Sequence, residues 1–377
     1  IDGPEEARLS AQGVLLGWPG SYGLVCDIGG ASMELAEIRD GHVGKCVTSS
    51  LGPLKLQSMK GGAKARKACA KEVITDLQDQ MGEQKDRLFL VGDMHRRGYP
   101  LHVLHEYRMT PKSVRETVKY IAKSDIEELR SACGISSARM VLVPIASEVL
   151  KVLINRFKPK DIAISSYGIR EGMLYEQMPQ KLRDRDPLIE SARFSESKDA
   201  RTPGFGKTLY DFIMPLFKSA PPATKRLVKA ASLLHDVSWR AHPDFRAEVC
   251  FDNSTRANLG GLSHLERIFL GIALMHRYRN KREGTRFDDL FDLLAPEQQI
   301  QAEILGKAMR FGAMLWMEKD AQFGEFRWFP KKKILELRLH TSARPLFSEV
   351  AEARLKSLAG SLSADLKVKF TKPSTEA

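Results

Sequence analysis

The chain has no long apolar run, few cysteines and no surplus of acid, and each shortage excludes something. No stretch approaches the roughly 18 consecutive apolar residues that a membrane-spanning helix needs, so no membrane span is expected. The 377 residues include 5 cysteines, Cys26, Cys46, Cys69, Cys133 and Cys250, which are scattered and form no CxxC pair. That pattern argues against a zinc site and a disulfide framework and predicts reduced thiols in a cytoplasmic protein. Asp and Glu number 47 against 59 Lys and Arg, a formal charge of +12. Excess positive charge favours a polyanionic partner: nucleic acid, an anionic membrane surface or a phosphate polymer. The competing reading is a basic surface that only aids solubility. RNA-binding aromatic signatures and zinc fingers are missing, so no specific nucleic acid is expected. The chain starts at Ile1 without a secretory signal, and its first residues read like the middle of a domain, so a front segment is expected to be absent.

What is present reads as globular, with 43% hydrophobic and 28% charged residues. The length exceeds one ordinary core and predicts two or three domains. The most informative stretch is Leu24-Val25-Cys26-Asp27-Ile28-Gly29-Gly30-Ala31-Ser32-Met33-Glu34-Leu35. An apolar run carries one acid near its end, breaks at two glycines and resumes as an alternating run, which predicts strand, tight turn, strand. Glycines allow the turn φ > 0 and close approach to a ligand. Successive amides in such a turn can converge on an oxyanion, and Asp27 and Glu34 are placed to hold a cation that a phosphate would bring. An ordinary hairpin with solvated acids has the same spacing.

Residues 1–13 predict a turn leading into a helix, with Pro4, Glu5 and Glu6 in its first turn. Glu5 and Glu6 are adjacent, so at most one looks into a cleft. Strands are expected at Val43–Thr48, Leu88–Val91, Met140–Val143 and Ile162–Ser166. Helices are expected near Val73–Met81, within Val114–Cys133, at Glu148–Arg156 and after Gly168. That alternation is an α/β pattern. A polar, proline-bearing stretch, Gln177–Pro203, separates it from helical periodicity at Leu227–Val237 and Leu265–Met275. Two strands (Phe326–Phe329, Ile334–Leu339), a helix (Leu346–Leu362) and a strand (Leu366–Phe370) close the chain, with a frayed end after Lys372.

Gly204-Phe205-Gly206-Lys207-Thr208 looks like the end of a phosphate-binding P-loop, but Arg201 stands where the first glycine belongs and no apolar strand precedes it. A solvated loop is the better reading. His235-Asp236 resembles the metal pair of HD phosphohydrolases. No His lies between His105 and His235 to serve as the upstream ligand, so an HD-like helical module without its metal is expected. Lys225, Arg226, Lys229, Arg240, Arg246, Arg277 and Arg279 could together line a polyanion track, although any one could be a solvated surface residue.

Read in order, several segments resemble the exopolyphosphatase / guanosine pentaphosphate phosphohydrolase (Ppx/GppA) family. They are Gly3-Pro4-Glu5-Glu6-Ala7-Arg8-Leu9, Asp27 to Glu34, Leu51-Gly52-Pro53-Leu54-Lys55-Leu56, Ser166-Tyr167-Gly168-Ile169-Arg170-Glu171-Gly172, and His235-Asp236 with His242 to Arg246. The resemblance covers nearly the whole chain. It implies an α/β actin-like (ribonuclease-H-like) fold followed by an all-α HD-like domain and a small α+β C-terminal domain. The expected boundaries are 1–16 for the end of a truncated N-terminal actin-like domain, 17–180, 188–310 and 311–377. It implies Mg²⁺-dependent, processive removal of terminal phosphate from inorganic polyphosphate by a cytoplasmic homodimer. Glu6 maps to the family's catalytic base, Asp27 and Glu34 to its metal-side acids, and Gly29, Gly30, Ala31, Ser32 and Gly92 to its phosphate-binding glycine segments. A pppGpp 5′-phosphohydrolase shares that site, and a non-catalytic polyphosphate or (p)ppGpp-binding regulator is the alternative from another class.

Three departures stand out. The family's first phosphate loop, DxGSNS, is nowhere in the chain, which leaves the activity of this chain on its own open. Ala31 stands where the family has Gly. After Val91-Gly92 the second glycine loop is shortened, and Asp93 to Gly98 runs straight into Tyr99-Pro100-Leu101-His102.

Overall fold

The computed structural model describes residues 1–82, 86–92, 106–133, 136–257, 259–315 and 323–371. The shortened loop after Gly92 and the end after Lys372 lie outside the described residues. The chain divides into two compact units, Ile1–Pro187 with Gly260–His264, and Leu188–Leu259 with Leu265–Ala377.

The first unit is built on a six-stranded mixed sheet: β1 (Gly23–Ile28), β2 (Met33–Arg39), β3 (His42–Ser49), β4 (Arg87–Val91), β5 (Arg108–Met109) and β6 (Asp161–Ser165), ordered β3-β2-β1-β4-β6-β5. β1, β2 and β3 form an antiparallel meander, β1, β4 and β6 run parallel, and β5 is an antiparallel edge. Asp40 (φ 52°) and Gly41 (φ 75°) make the tight β2–β3 turn, the left-handed pair that a two-residue hairpin requires.

Strand alternation sends two apolar sets to opposite faces. Leu24, Cys26, Met33, Leu35, Leu88 and Leu90 pack against Ile74 and Leu77 of helix Gly62–Met81 and Val149 and Leu153 of helix Val143–Phe157. On the other face Val25, Ala36, Ile38, Phe89 and Ala163 pack under Ala7, Ala11, Val14 and Leu15 of helix Gly3–Gly17, with Tyr175 of helix Ile169–Gln177. Asp2 caps Gly3–Gly17 by accepting the Glu5 amide at 2.9 Å, and Pro4 sits where its missing N–H costs nothing.

Some expectations are corrected. Met140–Val143 is no strand: Ser137–Met140 is a helical turn and a helix begins at Val143, with Pro144 in its first turn. Four apolar residues suit a strand or a buried helix equally, and Pro144 decides in favour of a helix start. Residues 1–16 are no separate remnant, because helix Gly3–Gly17 covers one face of the sheet within the first unit.

The second unit contains helices Phe205–Ile213, Pro222–Leu234, Arg246–Arg256, Pro296–Leu315 and Glu349–Ser361, with most of Pro187–Asp199 and His264–His276. Its sheet is ordered β7 (Gly324–Phe329), β8 (Ile334–His340), β9 (Asp365–Thr371), antiparallel and then parallel. The boundary expected at 310/311 falls inside helix Pro296–Leu315. Phe326 of β7 packs on Phe212, with ring centroids 4.4 Å apart, and on Phe311 at 5.8 Å, so the last sheet shares a core with the helices.

The first unit's tightest packing lies between helices Gly3–Gly17 and Ile169–Gln177. A Cβ on Gly172 would sit 1.9 Å from Leu9 O, and one on Gly13 would sit 2.2 Å from Gly168 O. Gly172→Ala should therefore push the helices apart and cost roughly 1–3 kcal/mol. In a unit of this size that lowers the melting temperature by about 2–4 °C per kcal/mol. An unchanged melting curve for the variant would refute this close approach.

Candidate functional site

The β1–β2 turn, Gly29 to Ser32, opens at the carboxyl end of parallel strands β1, β4 and β6, where Asp27, Val91 and Ser165 lie side by side in register. Asp27 faces Glu34 across the β1–β2 pair, and Glu34 faces Thr48 across β2–β3. Alternation puts both acids on the face covered by helix Gly3–Gly17. From that helix Ser10 Oγ donates to Asp27 Oδ2 at 2.7 Å, and from β3 Thr48 Oγ1 donates to Glu34 Oε1 at 3.2 Å.

The adjacent glutamates are split as their spacing requires. Glu5 is committed to Arg8, which donates to both carboxylate oxygens at 2.6 and 2.7 Å and also reaches Glu176 at 2.8 Å. Glu6 instead lies within electrostatic reach of both strand acids. Burial raises the Asp27 carboxyl above its ordinary range, the Ser10 bond pulls it back, and the Glu6 charge pushes it up again. Glu34, 3% exposed, is raised first by burial, lowered by the Ser32 and Thr48 hydroxyls, and raised by Asp27 and Glu6. Glu6, Asp27 and Glu34 are thus brought together.

The turn is held from outside. A Cβ on Gly52 would lie 2.1 Å from the carbonyl carbon of Ala31 and 2.4 Å from Gly30 O, and the Leu54 amide donates to Gly30 O at 2.9 Å. A left-handed φ is not what the turn's glycines provide. Gly29, Gly30 and Ala31 are all absent from the positive-φ residues, which explains why Ala31 is tolerated where a glycine was expected. Space does not demand glycine either: a Cβ on Gly30 would meet only the Cδ1 end of the exposed Leu54 side chain, at 2.9 Å, and one on Gly29 would make ordinary contact with Ser32 at 3.6 Å. Gly92 is left-handed (φ 126°), and its amide donates to Ser165 O at 2.9 Å, so this N–H is engaged in the sheet.

Asp27 and Glu34 offer hard oxygen donors whose ionisation is opposed by burial and by each other. Among the described residues no group of three His, Cys, Asp or Glu side chains forms a ready-made chelate. Mg²⁺ commonly takes one or two carboxylates and completes its octahedron with water and phosphate oxygens, so the pair fits such an ion.

In the second unit His235 is buried, with Nδ1 2.8 Å from Ser232 O and its ring edge-on to Phe205. Burial, followed by the Arg277 charge, lowers it to about 4. Asp236 accepts a two-pronged bond from Arg201, at 2.5 and 2.8 Å. The glycine segment that looked like a P-loop end is occupied by the chain itself: the Gly204 and Gly206 amides donate to buried Glu196 Oε1 at 3.1 and 2.7 Å.

The expected polyanion track is only partly assembled. Lys225, Arg226 and Lys229 share helix Pro222–Leu234. Arg240 stacks on Trp239 (4.9 Å), Arg246 donates to Ala241 O at 2.9 Å, and Arg279 to Lys281 O and Glu283 O at 3.1 and 2.8 Å. Arg277 is buried, which removes it from any surface track.

Sequence reading missed Ser10, Thr48 and the Gly52 clamp. Ser10 was recoverable, since it lies one turn after Glu6 on the same helix face. Thr48 and Gly52 depend on strand register and loop closure, for which the sequence carries no local signal.

A mixed sheet with helices packed on both faces and carboxylates beside a glycine turn at its strand ends defines an α/β protein as the class. Residues 1–181 match the model of the Ppx/GppA phosphatase family, and residues 208–369 match that of the exopolyphosphatase C-terminal domain. The chain belongs to the Ppx/GppA phosphatase family. It is similar to the solved Ppx/GppA phosphatase of Aquifex aeolicus at 16% identity and TM-score 0.40, over 48% of this chain and 65% of that one. Similarity to an exopolyphosphatase from Cytophaga hutchinsonii is 20% identity and TM-score 0.42, over 46% and 63%. The chain thus spans less than two thirds of those chains. Compared with curated proteins it has no match.

A raised acid means that the folded state binds the proton more tightly than the unfolded chain, so ionisation erodes stability as pH rises. Asp27→Asn should accordingly melt higher than the parent at pH 7 in chelator. The gap should narrow as pH falls toward the ordinary carboxylate value of 3.8. Thermal unfolding across pH checks this, and a variant less stable than the parent at pH 7 would contradict it.

Proposed function

We propose that this chain carries the hydrolytic half-site of an exopolyphosphatase, which removes terminal phosphate from inorganic polyphosphate with Mg²⁺ and acts processively. The observation that carries the reading is the convergence of Glu6, Asp27 and Glu34 beside the clamped Gly29–Ser32 turn. Family membership supports phosphoanhydride hydrolysis, and the strand order β3-β2-β1-β4-β6 supports the actin-like reading of the first unit.

Phosphoryl transfer to water demands little covalent help; it needs a positioned nucleophile and neutralisation of charge on the transferred group. Glu6 has its neighbour Glu5 locked to Arg8 and makes no ion pair among the described residues, and it is assigned to orient the attacking water and accept its proton. General-base assistance of this kind contributes about 10²–10⁴-fold. Asp27, oriented by Ser10, and Glu34, oriented by Thr48, would hold Mg²⁺. When bound, the ion supplies charge neutralisation to the phosphate oxygens. The turn held by Gly52 and Leu54 presents its backbone to the terminal phosphate without having to reorganise. The helical unit, which we read as HD-like in shape, would hold the rest of the polymer through Lys225, Arg226, Lys229 and their neighbours.

Glu6→Gln should lower phosphate release by about 10²–10⁴-fold while leaving polyphosphate binding intact. Release from long-chain polyphosphate and from pppGpp, each with and without Mg²⁺, should be measured on the full-length protein. Equal loss of binding and hydrolysis would remove Glu6 from the base role. Faster release from pppGpp would make the nucleotide the substrate, and release from neither with binding retained would make the protein a regulator.

A further inference from the structure

Three helices of the second unit bring positive charge into its interior. Gly306 of helix Pro296–Leu315 has no room for a side chain, because a Cβ there would lie 2.4 Å from both Ala273 O and His276 Cβ. This contact seats the end of helix His264–His276 against Pro296–Leu315, one turn before Arg310. Helix Glu349–Ser361 lies against the same element: Lys307 Nζ donates to Ser361 Oγ at 2.8 Å, and Arg354 Nη1 reaches Arg310 O at 3.4 Å. Arg277 follows the seated helix end, Arg354 reaches the Arg310 backbone, and the Arg277 charge acts on both Arg310 and Arg354.

Arg277 and Arg310 each keep a donor unspent. Arg277 is 8% exposed, and both its Nε and Arg310 Nη1 are buried without a hydrogen-bond partner among the described residues. The nearby acids are committed elsewhere, Asp236 to Arg201 and Glu303 to Lys307 at 2.6 Å. Burial lowers the pKa of all three guanidiniums. The Arg277 charge lowers Arg310 further, and Arg310 and Arg277 do the same to Arg354. Arg277 is buried, Arg310 and Arg354 are half-buried, and Arg277 is compensated chiefly by the charge of Asp236 and the ring of Tyr278 at 4.7 Å, so like charges gathered in this way destabilise a fold unless an anion joins them. Guanidinium forks on separate helices suit a compact, multivalent oxyanion better than a single carboxylate.

We infer that Arg277, Arg310 and Arg354 form a binding site for a compact phosphate-class oxyanion, inorganic phosphate or diphosphate. The site uses no residue of the acid cluster and stands apart from the hydrolytic reading. It also gives Arg277 an interior role in place of the surface track.

The test is calorimetric titration of phosphate and of diphosphate into the full chain, with potassium chloride at matched ionic strength as control and melting curves in each salt. The parent should bind one of the two anions and melt higher in it than in chloride. Arg310→Gln and Arg354→Gln should each weaken that binding by about tenfold or more, the equivalent of losing 1.4 kcal/mol. The titrations are run in chelator, so that the acid cluster holds no cation to bring phosphate to the Gly29–Ser32 turn. Cooperative melting in chloride shows that each arginine variant is folded, and the two changes on different helices guard against misfolding of either. Absence of an anion-specific effect in the parent, or parent-like affinity in both arginine variants, would overturn the assignment.

Discussion

The candidate site depends on how closely helix Gly3–Gly17 can approach its neighbours. Gly13 lets it touch the backbone at Gly168, Gly172 lets the neighbouring helix touch it at Leu9, and Gly3 lies so near Thr48 that a Cβ would meet that side chain at 2.5 Å. Thr48 in turn bonds Glu34, Glu34 faces Asp27 across the hairpin, and Asp27 accepts from Ser10 of the same helix. A ring of contacts therefore runs from the start of the helix through three strands and back to its middle. Glu6 lies between the two points of attachment, on a turn whose position is fixed at both ends. Rigidity of this kind is what a general base needs, because small misplacement of a proton acceptor costs a large fraction of its effect.

The same ring creates an electrostatic problem. Three carboxylates are drawn to one side of a sheet, and burial and mutual repulsion both favour the protonated forms of Asp27 and Glu34. The hydroxyls of Ser10, Ser32 and Thr48 offset part of this by donating to the ionised acids, but among the described residues no cationic side chain lowers either acid. Arg8, the nearest basic residue on the helix, is turned away to Glu5 and Glu176. A structural ion-pair network would have used it inward, as Asp161 uses Arg87 and Arg108 at the opposite ends of β4 and β6. Asp27 and Glu34 are instead left to hydroxyl partners.

Much of this was legible in the residues. The hairpin at Gly29-Gly30 follows from apolar alternation broken by glycine, and the split between Glu5 and Glu6 follows from helical geometry alone. Met140–Val143 failed because four apolar residues carry no period. The domain boundary at 310/311 failed because helix Pro296–Leu315 carries Phe311 into the core of the sheet that follows it. The role of the turn glycines was misread for a related reason. Composition suggests a left-handed turn, but φ and steric clearance are properties of the folded chain, and here it is Gly52, against Gly30 and Ala31, that has no room for a side chain.

Gly204-Phe205-Gly206 and Gly29-Gly30-Ala31 show why glycine-rich motifs cannot be judged by composition. Both present backbone amides beside small residues. At Gly204 and Gly206 the amides open a helix and are closed by the Glu196 carboxylate, which occupies the place an anionic ligand would take. At Gly29 to Ser32 the turn is exposed at Gly30 and Ala31, and the acids beside it repel a bare anion. The first motif is therefore a fold element that uses its own carboxylate as ligand, whereas the second stays open beside two raised acids, and the two differ because of the acids placed around them.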